Sequence, residues 1–152
     1  PPEMESRRKH DMDFREAWST VLDEVQATLA GAGEAEVGKL CDLIASSRAV
    51  FVAGEGRSGL VGRCFAMRLM HLGINAHVVG ETATPRLEPG DLLVAISGSG
   101  ETPFTCAAAS LAAQDGGRVV AVTAAGRSNL AAAASVVVVQ SHFGFWARKY
   151  TK

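Results

Sequence analysis

Apolar residues recur along this chain in two rhythms. In the first stretch Phe14, Trp18, Val21, Leu22, Val25 and Leu29 fall at helical spacing, with Asp13 placed to cap the helix and Gly31 and Gly33 to end it. Val37, Leu40, Cys41 and Ile44 predict a second helix that runs out near Ser46-Ser47. From Ala49 the rhythm changes to short, unbroken apolar runs at 49–53, 76–79, 92–96, 119–122 and 136–139. Helical patterns separate most of them, at 60–72, 103–115 and 129–134. Continuous apolar runs of this length are strands buried on both faces, and strand–helix alternation makes such a sheet parallel. The predicted fold class is therefore α/β. It is a three-layer α/β/α domain with a five-stranded parallel sheet in flavodoxin-like order 2-1-3-4-5, preceded by two N-terminal helices. Those helices are expected to cover a sheet face or another subunit. Residues 1–12 read as a mobile tail, 13–139 as the domain, and 140–152 as an atypical C-terminal tail.

Length and charge narrow the function classes. The chain has 152 residues, enough for one domain with a real core. A net charge of −1 supplies no field to gather nucleic acid or an acidic membrane, so neither is an expected partner. No membrane-length apolar run or secretory-type leader is visible, which predicts a cytoplasmic location; with Pro1 first, either Met4 is nearer the natural start or the upstream sequence is incomplete. Cys41, Cys64 and Cys106 lack CxxC spacing and sit among apolar neighbours, so buried free thiols are expected. His10, His71, His77 and His142 show no metal-ligand spacing with one another.

The chemistry concentrates in two loops that follow strands. Ser97-Gly98-Ser99-Gly100-Glu101-Thr102 follows the third apolar run and precedes Pro103 and an alanine-rich helix. Glycines let backbone N–H groups turn inward, hydroxyls add donors, and a helix start adds unpaired N–H groups and the positive end of its dipole. Thr102 fits the N-cap and Pro103 the first helical position. A bland strand-to-helix turn needs only one Ser and one Gly, so the alternation favours a phosphate cradle. The second loop, Gly54-Glu55-Gly56-Arg57-Ser58-Gly59, follows the first strand. Its glycines match the dinucleotide fingerprint, with Glu81 near the place of the ribose-binding acid. Arg57 and Ser58, however, are phosphate-type donors, and the first loop has no role in that fingerprint. In order 2-1-3-4-5 the two loops face each other at the switch point, so one small phosphorylated ligand is the favoured reading over a dinucleotide.

The two loops are joined by further motifs: Phe65-Ala66-Met67-Arg68-Leu69-Met70-His71-Leu72-Gly73, Val79-Gly80-Glu81-Thr82 and Gly90-Asp91-Leu92-Leu93. Together these resemble the SIS (sugar isomerase) domain family and, within it, the 6-phospho-3-hexuloisomerases, over about 49–139. The resemblance implies interconversion of 3-hexulose 6-phosphate and fructose 6-phosphate through an enediol, in formaldehyde fixation by the ribulose monophosphate pathway. It implies no cofactor, and a homo-oligomer, dimer or tetramer. It also implies that Ser58, Ser97, Gly98, Ser99, Gly100, Glu101 and Thr102 hold the substrate's phosphate and hydroxyls.

An enediol mechanism needs a general base. In the resembled family that base is a glutamate on a helix beyond the fifth strand. Here residues 140–152 read QSHFGFWARKYTK, resemble a truncated or frameshifted end, and offer no counterpart. No catalytic residue is therefore assigned, and Glu81, His71, His77 and His142 are weak substitutes. Loss of such a helix would also uncover apolar surface and lower solubility. The alternatives are a non-catalytic sugar-phosphate-binding module of the same family and, further off, a dinucleotide-binding protein. A DNA-binding regulator is disfavoured because the segment before Ala49 is short and not basic.

Overall fold

The computed structural model describes residues 13–139. Helices α1 (Phe14–Ala30) and α2 (Glu34–Ser46) come first. Then follow β1 (Val50–Gly54), α3 (Gly56–His71), β2 (Ala76–Val78), β3 (Leu92–Ile96), α4 (Pro103–Gln114), β4 (Arg118–Thr123), α5 (Asn129–Ala133) and β5 (Val136–Val139). All five strands are parallel, in the order β2-β1-β3-β4-β5, as the apolar pattern predicts.

The sheet has one apolar layer on each side. On one face Phe51, Ala53, Leu93, Ala95, Val119 and Ala121 meet Ala109 and Ala112 of α4 and Leu130 of α5. On the other, Val50, Val52, Leu92, Val94, Val120 and Val138 meet Ala66 and Leu69 of α3 and, at the border, Leu40, Leu43 and Ile44 of α2. The central strands are therefore apolar at every position, since alternate side chains enter different layers.

The amino edge of the sheet is fastened by ions. Asp91 is fully buried just before β3. Arg48 grips it with Nε on Oδ1 at 3.0 Å and Nη2 on Oδ2 at 2.9 Å, and the Glu88 amide donates to Oδ2 at 2.8 Å. The Arg48 guanidinium holds this carboxyl below its ordinary value of 3.8, against the opposing effect of burial. Charge-assisted, two-pronged bonds of this kind outweigh the desolvation cost only because the remaining lone pairs are also met.

One expectation is corrected here. The cysteines are unpaired but not buried: Cys41 and Cys64 are exposed and Cys106 half-buried, because Cys41 and Cys64 lie on helix faces turned away from the sheet. Helix α1 covers no sheet face; none of its residues is buried, whereas α2 packs through Leu40, Leu43 and Ile44. Asp13 occupies the N-cap of α1 through its backbone, without a side-chain bond. The 1–12 and 140–152 tails, with His10 and His142, lie outside the described residues.

A stability prediction follows from Asp91. Its native pKa is lowered, so the stabilisation it contributes is complete above about pH 4 and is lost as pH falls through the native value. Asp91→Asn should cost roughly 1–3 kcal/mol at neutral pH and flatten the acid limb of the stability curve, measured by urea unfolding against pH.

Candidate functional site

Strand register places the two loops. Gly54 pairs with Ile96, so Glu55–Gly59 and Ser97–Thr102 leave the sheet side by side at the same level. From there α3 turns onto the face with Val52 and Val94, and α4 onto the face with Phe51 and Leu93. This is the switch point of the sheet, where a crevice opens between diverging helices.

The first loop is tight because it holds glycines. Gly56 takes φ +56° as the chain enters α3. A Cβ on Gly59 would stand 2.6 Å from the Gly54 carbonyl oxygen, and one on Gly54 would crowd the Ile96 carbonyl oxygen at 3.1 Å. Arg57 is exposed, Ser58 is half-buried, and their amides in the first turn of α3 donate to no protein acceptor among the described residues.

The second loop is knitted from within. Ser97 is buried, and its Oγ lies 2.8 Å from Thr102 Oγ1 while accepting from the Gly100 amide at 3.1 Å. Ser99 is exposed, and its Oγ accepts from the Glu101 amide at 3.2 Å. Gly98 gives its carbonyl to the Ala124 amide at 3.0 Å, and Gly100 gives its own to the Leu130 amide at 3.0 Å. Gly100 has φ +68°, and a Cβ there would overlap Ser128 Oγ and Cβ. Ser128 itself caps α5, accepting from the Ala131 amide at 3.3 Å. Thr102 stands at the N-cap of α4 but turns its hydroxyl to Ser97 instead of to the helix. The amides of Phe104 and Thr105 therefore keep no protein acceptor among the described residues.

Glu101 is committed to the supporting structure. Its Oε1 accepts from the Asn129 amide at 3.0 Å and Oε2 accepts from the Asn129 side chain, which ties the loop to the start of α5. Cys106 donates its Sγ–H to the Gly100 carbonyl at 3.3 Å. Burial, and then the charge of Glu101, push this thiol up, which keeps it neutral.

A cleft of about 220 Å³ opens beside the first loop. Glu55, Gly59, Gly62, Arg63, Gly80 and Phe104 border it, over a floor that includes Val52 and Val78. Ser58 and the Ser97–Thr102 loop lie next to this cleft in the chain, but its walls are formed by their neighbours. Arg63 and Phe104 belong to none of the motifs singled out in the sequence, and Gly80 enters there only as part of Val79–Thr82. Phe104 had a visible signal, an aromatic residue directly after the Pro at a helix start. Gly80 has φ +94°, and a Cβ there would sit 3.6 Å from the Phe104 ring.

The weak base candidates find ordinary partners. Glu81 is ion-paired with Arg63. The His77 ring packs on Phe51 with centroids 5.1 Å apart, and His71 is exposed near Arg68. Among the described residues no cluster of three or more His, Cys, Asp or Glu is arranged for a metal, and no helix is long and apolar enough to cross a membrane.

Comparison with known proteins agrees with this architecture. The SIS domain family matches residues 43–141. A 3-hexulose-6-phosphate isomerase of Bacillus subtilis is 42% identical over 84% of this chain and 69% of its own length. One of Mycobacterium gastri is 45% identical over 84% of this chain and 64% of its own. A solved Methanococcus jannaschii structure, from which a 3-hexulose-6-phosphate isomerase function was inferred, superposes with a TM-score of 0.77 at 33% identity, covering 86% of this chain and 76% of that one. The chain spans between about half and just over two thirds of the length of the first curated relatives it matches.

Gly100→Ala tests the construction of the second loop. It should lower stability by about 2 kcal/mol or more, through left-handed strain and the clash with Ser128. Adding Ser128→Gly should recover part of that loss in the same chemical-denaturation experiment.

Proposed function

The chain belongs to the SIS domain family, and on that premise we propose that it binds a sugar phosphate at the carboxyl edge of its sheet, as part of a 3-hexulose-6-phosphate isomerase. The observation that carries this reading is the register of β1 and β3, which brings two Ser/Gly loops and two helix starts to one place. In this reading residues 13–139 form the SIS unit.

The free amides of Arg57, Ser58, Phe104 and Thr105, with the hydroxyls of Ser58 and Ser99, supply donors to a phosphate dianion. Gly98 and Gly100 let the backbone approach the ligand. Ser97 and Thr102 act by holding the loop closed on itself, and Glu101 by pinning it to α5. The sugar extends toward the cleft walled by Phe104 and Arg63, where Glu55 is exposed and its carboxylate has no protein partner among the described residues. The isomerisation moves a proton between adjacent carbons through an enediol, with polarisation of the carbonyl by positioned donors. No described residue is assigned the base. The glutamate implied by the family resemblance belongs beyond β5, where residues 140–152 hold no glutamate. The reaction belongs to the ribulose monophosphate route of formaldehyde fixation, in the cytoplasm, and the protein works as a homo-oligomer, dimer or tetramer.

Fructose 6-phosphate should raise the melting temperature in a concentration-dependent way, while NAD and NADP leave it unchanged. Stabilisation by a dinucleotide alone would reject the sugar-phosphate reading. Ser99→Ala should weaken fructose 6-phosphate binding by about 1–3 kcal/mol in a calorimetric titration. Conversion of 3-hexulose 6-phosphate, followed by coupled detection of fructose 6-phosphate, separates an isomerase from a binding module.

A further inference from the structure

Three carboxylates stand around the two loops, and two of them are already bonded. Glu81, after β2, is ion-paired with Arg63. Glu101 accepts from the Asn129 amide at 3.0 Å and from the Asn129 side chain. Glu55 differs from both. It joins β1 to α3, in the loop that carries the free amides of Arg57 and Ser58. It occupies the N-cap of α3 with extended backbone, φ −119° and ψ 154°, yet its side chain makes no capping bond. A carboxylate at a helix start ordinarily accepts from the first helical amides. Two guanidinium groups lie close in the chain, and neither takes it. Arg63 is on Glu81, and Arg57 has no carboxylate partner among the described residues.

This placement is unfavourable for an anion alone. A phosphate dianion held on the Arg57 and Ser58 amides has the Glu55 charge as a neighbour in the same loop, and like charges in a partly dry crevice repel. An ionised carboxylate is also purely an acceptor, with two oxygens open to donors. A sugar carried on the phosphate brings hydroxyl donors. It extends into the cleft that Glu55 borders together with Gly59, Arg63 and Phe104. A hydroxyl donating to an ionised acceptor makes a short, strong hydrogen bond. The repulsion therefore acts on every phosphate, and only a hydroxylated one offsets it. Discrimination of this kind works by penalising the wrong ligand as well as by holding the right one.

We propose that Glu55 is a specificity-determining residue, whose carboxylate accepts a hydroxyl of the sugar and selects phosphorylated polyols over bare phosphate. The inference rests on the reading of the two loops as a sugar-phosphate site and deepens it. It gives the first loop two tasks, anion binding by the backbone of Arg57 and Ser58 and hydroxyl recognition by the side chain that precedes them.

Calorimetric titration of the full chain tests it, on the wild type, Glu55→Gln and Glu55→Ala. The probes are fructose 6-phosphate, titrated directly, and inorganic phosphate, read as its competitor. The wild type should prefer fructose 6-phosphate. In both variants its affinity should fall by about tenfold or more, the loss expected for a hydrogen bond to a charged group. Inorganic phosphate should bind at least as well as before, and roughly threefold tighter at low salt, because a like charge has gone. Fructose 6-phosphate affinity that stays at the wild-type value would overturn the proposal. An equal fall for both probes would overturn it too, since Glu55 would then support the loop and recognise nothing. Glu55→Gln keeps the shape of the side chain and carries the test alone if Glu55→Ala loses its circular dichroism. A wild type that binds neither probe rejects the sugar-phosphate reading, and this inference with it. A wild type that binds fructose 6-phosphate, with variants that keep its preference, rejects this inference alone.

Discussion

The parallel pairing of β1 with β3 is the constraint on which the site depends. Because Gly54 stands level with Ile96, the chain leaves both strands at one height and within one strand spacing. Because α3 and α4 then pass to opposite faces, their first turns diverge from a common crevice, and unsatisfied helix N–H groups from two elements gather there. The glycines follow from the same constraint. Gly59 lies against the Gly54 carbonyl, and Gly100 lies against Ser128, so a side chain at either point would push the loops out of place.

The support for the second loop comes from elements much later in the chain. Gly98 and Gly100 are held by amides of Ala124 and Leu130, and Glu101 by Asn129. The turn after β4 and the start of α5 thus serve as a brace, and Ser128 does double duty as helix cap and packing surface for Gly100. At the opposite edge of the sheet the Arg48–Asp91 pair fixes the entry of β3 next to β1. The two ends of β3 are therefore anchored by different physics, ionic at the amino end and backbone-to-backbone at the carboxyl end.

Much of this was legible in the sequence. Unbroken apolar runs such as Leu92–Ile96 give the strands and their two-sided burial, and Ser/Gly loops followed by helix patterns give the switch point. Residue types alone do not say which hydroxyls stay free. Ser97 and Thr102 bond to each other and Glu101 to Asn129, partners that only the folded loop brings near. The cleft wall at Phe104 and Arg63 was hidden for the same reason, since both belong to helical stripes that look like packing. The cysteines misled because an apolar neighbourhood in sequence marks a buried face only when something covers it. On α2 and α3 the faces bearing Cys41 and Cys64 are left open by the described residues.

The central claim is that a single phosphorylated sugar is held where the two loops leave the sheet. The most direct measurement is the set of backbone amide shifts in a nitrogen–proton correlation spectrum titrated with fructose 6-phosphate. The account predicts saturable shifts concentrated at residues 55–59 and 97–105, with the Arg48–Asp91 edge unmoved. Shifts centred on that opposite edge or along α1, with the two loops silent, would contradict it.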